Sequence, residues 1–124
     1  MEVGQSAANA LYEQAAGGTF RMDADAARRC AEVYTRLVDT TLEPELDRAT
    51  NLMALKGFGG FESAIALQGG FSNKGAELVE ALKGMIEAAL KMAAAYMRAG
   101  QLIEEADALS AQSIRIATSE VPKQ

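Results

Sequence analysis

The stretch GFGGFESAIALQGGF, residues 57–71, decides how the rest of the chain is read. It opens on Gly57, Phe58, Gly59, Gly60 and Phe61 and closes on Gly69, Gly70 and Phe71. Glycine reaches positive φ without steric cost, so two such clusters mark a place where helices stop and a chain can reverse. Phe58, Phe61, Ile65, Leu67 and Phe71 make this stretch apolar, whereas a solvated loop would not carry three phenylalanine rings. The expected feature is a packed tip joining two long helices.

Downstream of the tip a helix is expected over 72–118, starting at Ser72 with Phe71 as a hydrophobic staple. Leu78, Leu82, Met85, Ala89, Met92, Tyr96, Ala99, Ile103, Ala106, Ser110 and Ser113 follow one another in alternating steps of four and three. That is a heptad seam. Val79, Ile86, Leu90, Ala93, Met97 and Gly100 form a second stripe beside it. A two-helix hairpin buries one stripe per helix, so the second implies a partner helix. Val79, Leu82, Ile86, Leu90 and Met97 are the expected partner interface.

Upstream, a helix is expected over about 23–56, with Asp23 as its cap and Asp25 in its first turn. Phe20 or Met22 can pack back on that turn. Pro44 removes a backbone donor and follows two poor helix formers, Thr40 and Thr41, so a kink or short break is expected near 40–44. Residues 1–22 hold Ala7, Ala8, Leu11, Tyr12 and Ala15 at helical spacing, ended by Gly17 and Gly18. An isolated helix that short is marginal in water, so a mobile arm is expected there. Residues 119–124 read as a frayed polar tail. The expected fold is all-α: an elongated antiparallel helical hairpin, 23–118, pairing into a four-helix bundle.

Composition narrows the function classes. A chain of 124 residues is one domain, and its Ala- and Leu-rich content lacks long alternating β-type segments. The net charge is −5 and the basic residues are scattered, so there is no electrostatic footprint for nucleic acid. Cys30 is the single cysteine and histidine is absent, which removes a disulfide framework, the commonest general base and the commonest metal ligand. Met1, Glu2, Val3 and Gly4 carry neither a basic region nor an apolar core, so no cleaved signal peptide is expected. The nearly apolar run 88–97 is interrupted by Lys91 and is too short for a bilayer, so no stable membrane insertion is expected.

No group of residues assembles a reactive site. Gly57, Phe58, Gly59 and Gly60 superficially suggest a phosphate loop, but no Gly-Lys-Ser/Thr follows and rings occupy the loop; it reads as a structural turn. Glu87, Glu104, Glu105 and Asp107 could hold a cation in principle, yet bundle metal sites use Glu-x-x-His pairs and a solvated face is favoured. Cys30 reads as packing, Tyr34 and Tyr96 as core residues with hydroxyls at the edge. Met53, Met85, Met92 and Met97 suit an adaptable partner surface as well as plain packing. The expectation is a non-enzymatic protein without a cofactor.

The chain resembles actinobacterial substrates of type VII (ESX) secretion, small helical-hairpin proteins of the WXG and EspC-like kind, from about residue 20 to residue 108. Phe20-Arg21-Met22-Asp23 looks like the Phe-x-Val-Asp opening of the first hairpin helix in EspC-like proteins. The turn Gly57, Phe58, Gly59, Gly60, Phe61 stands where the WXG family has its Trp-x-Gly, with phenylalanine in place of tryptophan. Family members carry a Tyr-x-x-x-Asp/Glu secretion signal late in the second helix. Ile103 and Asp107 have its spacing and its acid, with isoleucine in place of tyrosine. That departure fits a subunit exported with a partner that carries the intact signal. The resemblance implies a homodimer, or a heterodimer with a related helical-hairpin protein or a toxin's N-terminal domain. It implies a cytoplasmic protein that becomes secreted or surface-exposed. A cytosolic helical adaptor or structural bundle protein that is never exported is the alternative.

Overall fold

The computed structural model describes residues 2–53 and 62–119. Its elements are α1 (Gln5–Ala16), α2 (Ala24–Leu37), a π-helical turn (Val38–Leu42), α3 (Glu43–Met53), α4 (Glu62–Ala99) and α5 (Ile103–Thr118). No strand occurs among the described residues. The 38 residues of α4 make it the axis of the molecule, about 57 Å long. Among the described residues α1, α2, α3 and α5 all pack on α4, and apart from the continuous run from α2 through the π turn to α3 they do not pack on one another. The run 88–97 explains this arrangement. Ala88, Ala89, Leu90, Ala93, Ala94 and Ala95 are all buried, and a helix that is apolar all round must be covered all round.

The Asp23 cap forms as expected: its backbone is extended (φ −60, ψ 141) and its carboxylate accepts from the Ala26 N–H at 3.0 Å. The Phe20 ring meets Tyr96 of α4 edge-on at 5.9 Å. The Met22 N–H donates to the Ala99 carbonyl at 2.9 Å, which ties the start of α2 to the end of α4. Near Pro44 the expected kink is a π turn without a chain break. The Glu43 N–H reaches back to the Val38 carbonyl, a five-residue step that widens the helix just before the proline.

Four expectations are corrected. Residues 1–22 are not a loose arm, because α1 docks on α4 with Ala8 and Ala15 buried and Gly4 3.7 Å from Ala88 if given a Cβ. Small residues let the two backbones come close, and that contact supplies what an isolated short helix lacks. The second helix does not begin at Ser72: α4 is already helical at Glu62 and passes through Gly69 and Gly70. Glycine permits a helix to end but only disfavours it by about 1 kcal/mol relative to Ala, which flanking helix formers outweigh. The expected turn residues Gly57, Phe58, Gly59, Gly60 and Phe61 lie outside the described residues.

The third correction is the largest. The helix expected over 72–118 ends at Ala99, and α5 folds back along α4. The Gln101 N–H donates to Arg98 O (3.0 Å) and the Leu102 N–H to Met97 O (2.9 Å), the paired bonds of a Schellman C-cap. Gln101 sits in the left-handed region, φ 61, where a non-glycine residue is strained by about 1–2 kcal/mol. Gly100, just before it, is required by packing instead, since a Cβ there would stand 2.5 Å from Ala27 Cβ.

Fourth, the stripe assigned to a partner is covered by the chain itself. Val79, Leu82, Ile86 and Leu90 are buried in one cluster with Val38, Leu42, Ala49 and Ala89, flanked by Tyr34, Leu46, Leu109 and Ile116. Met97 is half-buried. The heptad seam is the more exposed of the two at Leu78 (43%), Met85 (39%) and Ile103 (41%).

Candidate interaction surface

An apolar cleft of about 360 Å³ opens between α1 and α2 above α4. Tyr34, Leu37 and Leu42 form one wall, Val3 and Ala7 the other, and Met85 and Met92 the floor. Alternation of α4 residues three and four apart places Met85, Ala88, Ala89 and Met92 on this side. No charged residue lines it, and Leu37 and Met85 keep about two-fifths of their surface open to water. Flexible thioethers in such a floor can repack around different apolar guests. The sequence singled out Met85 and Met92, but as members of a set with Met53 and Met97. What it did not show is that α1 supplies the second wall.

Beside this cleft runs an aromatic row. Tyr34 stacks on Tyr96 at 5.9 Å and 23°, while Phe20 closes the other side. Burial pushes the Tyr96 phenol above its ordinary value, with Tyr34 and Cys30 adding to the effect. Cys30 is a half-buried free thiol at the edge of this row. The tyrosines therefore pack as the sequence suggests.

A second cleft of about 200 Å³ separates α1 from α5, with Gln5, Asn9, Glu87, Lys91, Ser113 and Thr118 set among the apolar Ala88, Ile114 and Ala117. Lys91 bridges its walls: its Nζ lies 4.0 Å from the centre of the Tyr12 ring and donates to Ser110 Oγ at 2.8 Å. Burial lowers the Lys91 pKa, and the Glu13 carboxylate opposes that shift. Ser113 Oγ donates to the Glu87 carbonyl at 2.9 Å, and Lys83, almost fully buried, donates to the Ser119 carbonyl and lies 4.0 Å from Glu80. Thus polar contacts spaced along α4 join the apolar packing of Ala106, Leu109 and Ile116 in holding α5.

Ile103 and Asp107 occupy the first turns of α5, immediately after the bend, and both are exposed. Glu104 and Glu105 share that first turn, where negative charge suits the helix dipole. Glu87 lies far along α4 from them and lines the cleft between α1 and α5. Among the described residues no group of three or more His, Cys, Asp or Glu side chains converges as a metal site, and no helix is long and apolar enough to cross a membrane. Compared with protein-family models, with curated proteins and with solved structures, the chain matches none.

Proposed function

We propose that this chain is a non-enzymatic type VII secretion substrate or secretion partner that works through helix–helix association. Its partner would be a related helical-hairpin chain or the helical N-terminal domain of a toxin. The observation that carries this reading is the position of Ile103 and Asp107, four residues apart on an exposed face just past the bend that closes α4. The apolar cleft floored by Met85 and Met92 supports it as the surface on which a partner helix would lie. Recognition of the pair would rest on an apolar side chain and an acid. Ile103→Tyr should then leave export unchanged, and Asp107→Ala should abolish it. Comparing culture filtrate with lysate, in a host with an active secretion system and the neighbouring genes present, tests this.

A second reading has its own observation. Because Val79, Leu82, Ile86 and Leu90 are satisfied inside the chain, the fold does not need a partner to cover them. Together with isoleucine in place of the signal tyrosine, that favours a helical adaptor that stays in the cytosol. Wild-type protein confined to the lysate under those same conditions would leave the adaptor and remove the secretion reading.

A further inference from the structure

We propose that two copies of this chain form a dimer by exchanging α5, each α5 taking on the other copy's α4 the place it holds on its own. The inference goes beyond the proposed function, since it needs neither export nor a heterologous partner. The occupant is fixed by a contact already present: that surface of α4 is the one on which α5 packs in the single chain.

Three observations support the exchange. First, α5 packs on α4 alone among the described helices. It can leave without unpacking α1, α2 or α3. Second, its link to α4 is only Gly100, Gln101 and Leu102, and it holds strain. Gln101 has φ 61 although it is not glycine, while Gly100 beside it is not in the left-handed region. Short strained hinges invite domain exchange, because opening them releases the strain while every contact of the exchanged element is regained in the partner.

Third, the hinge is long enough for the exchange, because the α4–α5 contacts, like those of any antiparallel hairpin, are centred on the turn. The contacts of α5 join Lys83 to Ser119, Glu87 to Ser113 and Lys91 to Ser110. Their midpoints all fall at residues 100–101, on the hinge itself. Two copies arranged antiparallel in this register bring their hinges together at the dyad, so the existing three-residue link, about 10 Å when extended, is sufficient. The interface is isologous and closes on itself, so the exchange ends at a dimer. The side of α5 that opening uncovers, Ala106, Leu109, Ser110, Ser113 and Ile116, is covered again by the partner's α4. Its polar groups exchange one set of hydrogen bonds for bonds to water.

The test uses the full chain with Cys30→Ser and spin labels at Glu80→Cys and Ala117→Cys, positions that line one cleft across the α4–α5 contact. Refolding at high concentration should give a dimer on size exclusion. In that dimer, diluted with unlabelled chain, the two labels of one chain should separate to about 55 Å, the combined reach of the two helix segments from the hinge. Gln101→Gly relieves the strain in the closed form and weakens helix in any straightened one. It should lower dimer affinity about tenfold per hinge and so about a hundredfold overall, with helicity unchanged by circular dichroism. Gln101→Val, which tolerates positive φ less well, should raise the dimer fraction. A dimer whose intrachain labels stay close would overturn the proposal, as would absence of any dimer from wild type and Gln101→Val, or indifference of the dimer to Gln101→Gly.

Discussion

Gly100→Ala isolates the contact that locks the start of α2 onto the end of α4. The added methyl would stand 2.5 Å from Ala27 Cβ and 3.4 Å from Ala24 Cα, and neither of these atoms belongs to a flexible side-chain tip. Relief therefore requires the two helices to part, against the Met22–Ala99 hydrogen bond that ties them. Overpacking of this kind costs about 1–3 kcal/mol. Alanine regains up to about 1 kcal/mol of helix propensity at a position already leaving the helix, so the net loss should be about 1–2 kcal/mol. For a chain of this size that is a fall in Tm of about 3–10 °C in a two-state thermal melt. Ala27→Gly removes the opposing methyl and should rescue the loss. In the double variant the two changes should be less destabilising than their sum by about 1 kcal/mol or more. A Gly100→Ala protein as stable as wild type, or losses that simply add with Ala27→Gly, would refute the close approach of α2 to α4.

Two further outcomes follow from single side chains. Asp23→Ala should cost about 1 kcal/mol by removing the acceptor of the Ala26 N–H, whereas Asp23→Asn, which keeps an oxygen there, should cost a few tenths at most; urea melts at matched m-values measure both. Lys91 gives a signed pH effect. Burial lowers its folded pKa below the ordinary 10.5, so the unfolded chain holds more protons between the two values and stability rises as pH climbs toward 10.5. Lys91→Met should lose that rise. Tyr96, raised above its ordinary 10.0, acts in the opposite sense at higher pH but is common to both proteins and cancels in the difference. Parallel stability profiles for the two proteins would show that Lys91 is not desolvated by the α1–α4–α5 junction.

The helical class, the Asp23 cap and the disturbance before Pro44 were legible because each is a local effect of one or a few residues. The packing order was not. Two stripes on α4 imply a second layer of helices, and that inference is sound, but the pattern cannot say which chain supplies the layer. Here α1, the run from α2 to α3, and α5 supply it. The weight given to Gly69 and Gly70 missed that both are exposed positions in a helix with nothing near them, where glycine carries only a propensity cost. The bend at Gly100 was masked by the seam, whose four-and-three rhythm continues through Ile103. Past the bend that seam changes partner: Met85, Met92 and Tyr96 look toward α2, whereas Ser110 and Ser113 look toward α4. The available signal was Arg98, Ala99, Gly100, Gln101, Leu102 followed by Glu104 and Glu105, a basic last turn, a glycine and a new acidic first turn. Of the candidate surface, the methionines were visible in sequence; the cleft was not, because its second wall is the segment 1–22, which was expected to be loose.

That α4 is enclosed by its own chain is tested most directly by thiol protection in the monomer. With Cys30→Ser as background, Val79→Cys and Val33→Cys are the same chemical change at positions 1% and 65% exposed. In the monomer fraction from size exclusion, the thiol at 79 should react with a maleimide only through opening of the fold, orders of magnitude more slowly than the thiol at 33. Equal reaction rates in a folded monomer would mean that the Val79–Leu90 stripe faces solvent and awaits a partner, and would contradict the account.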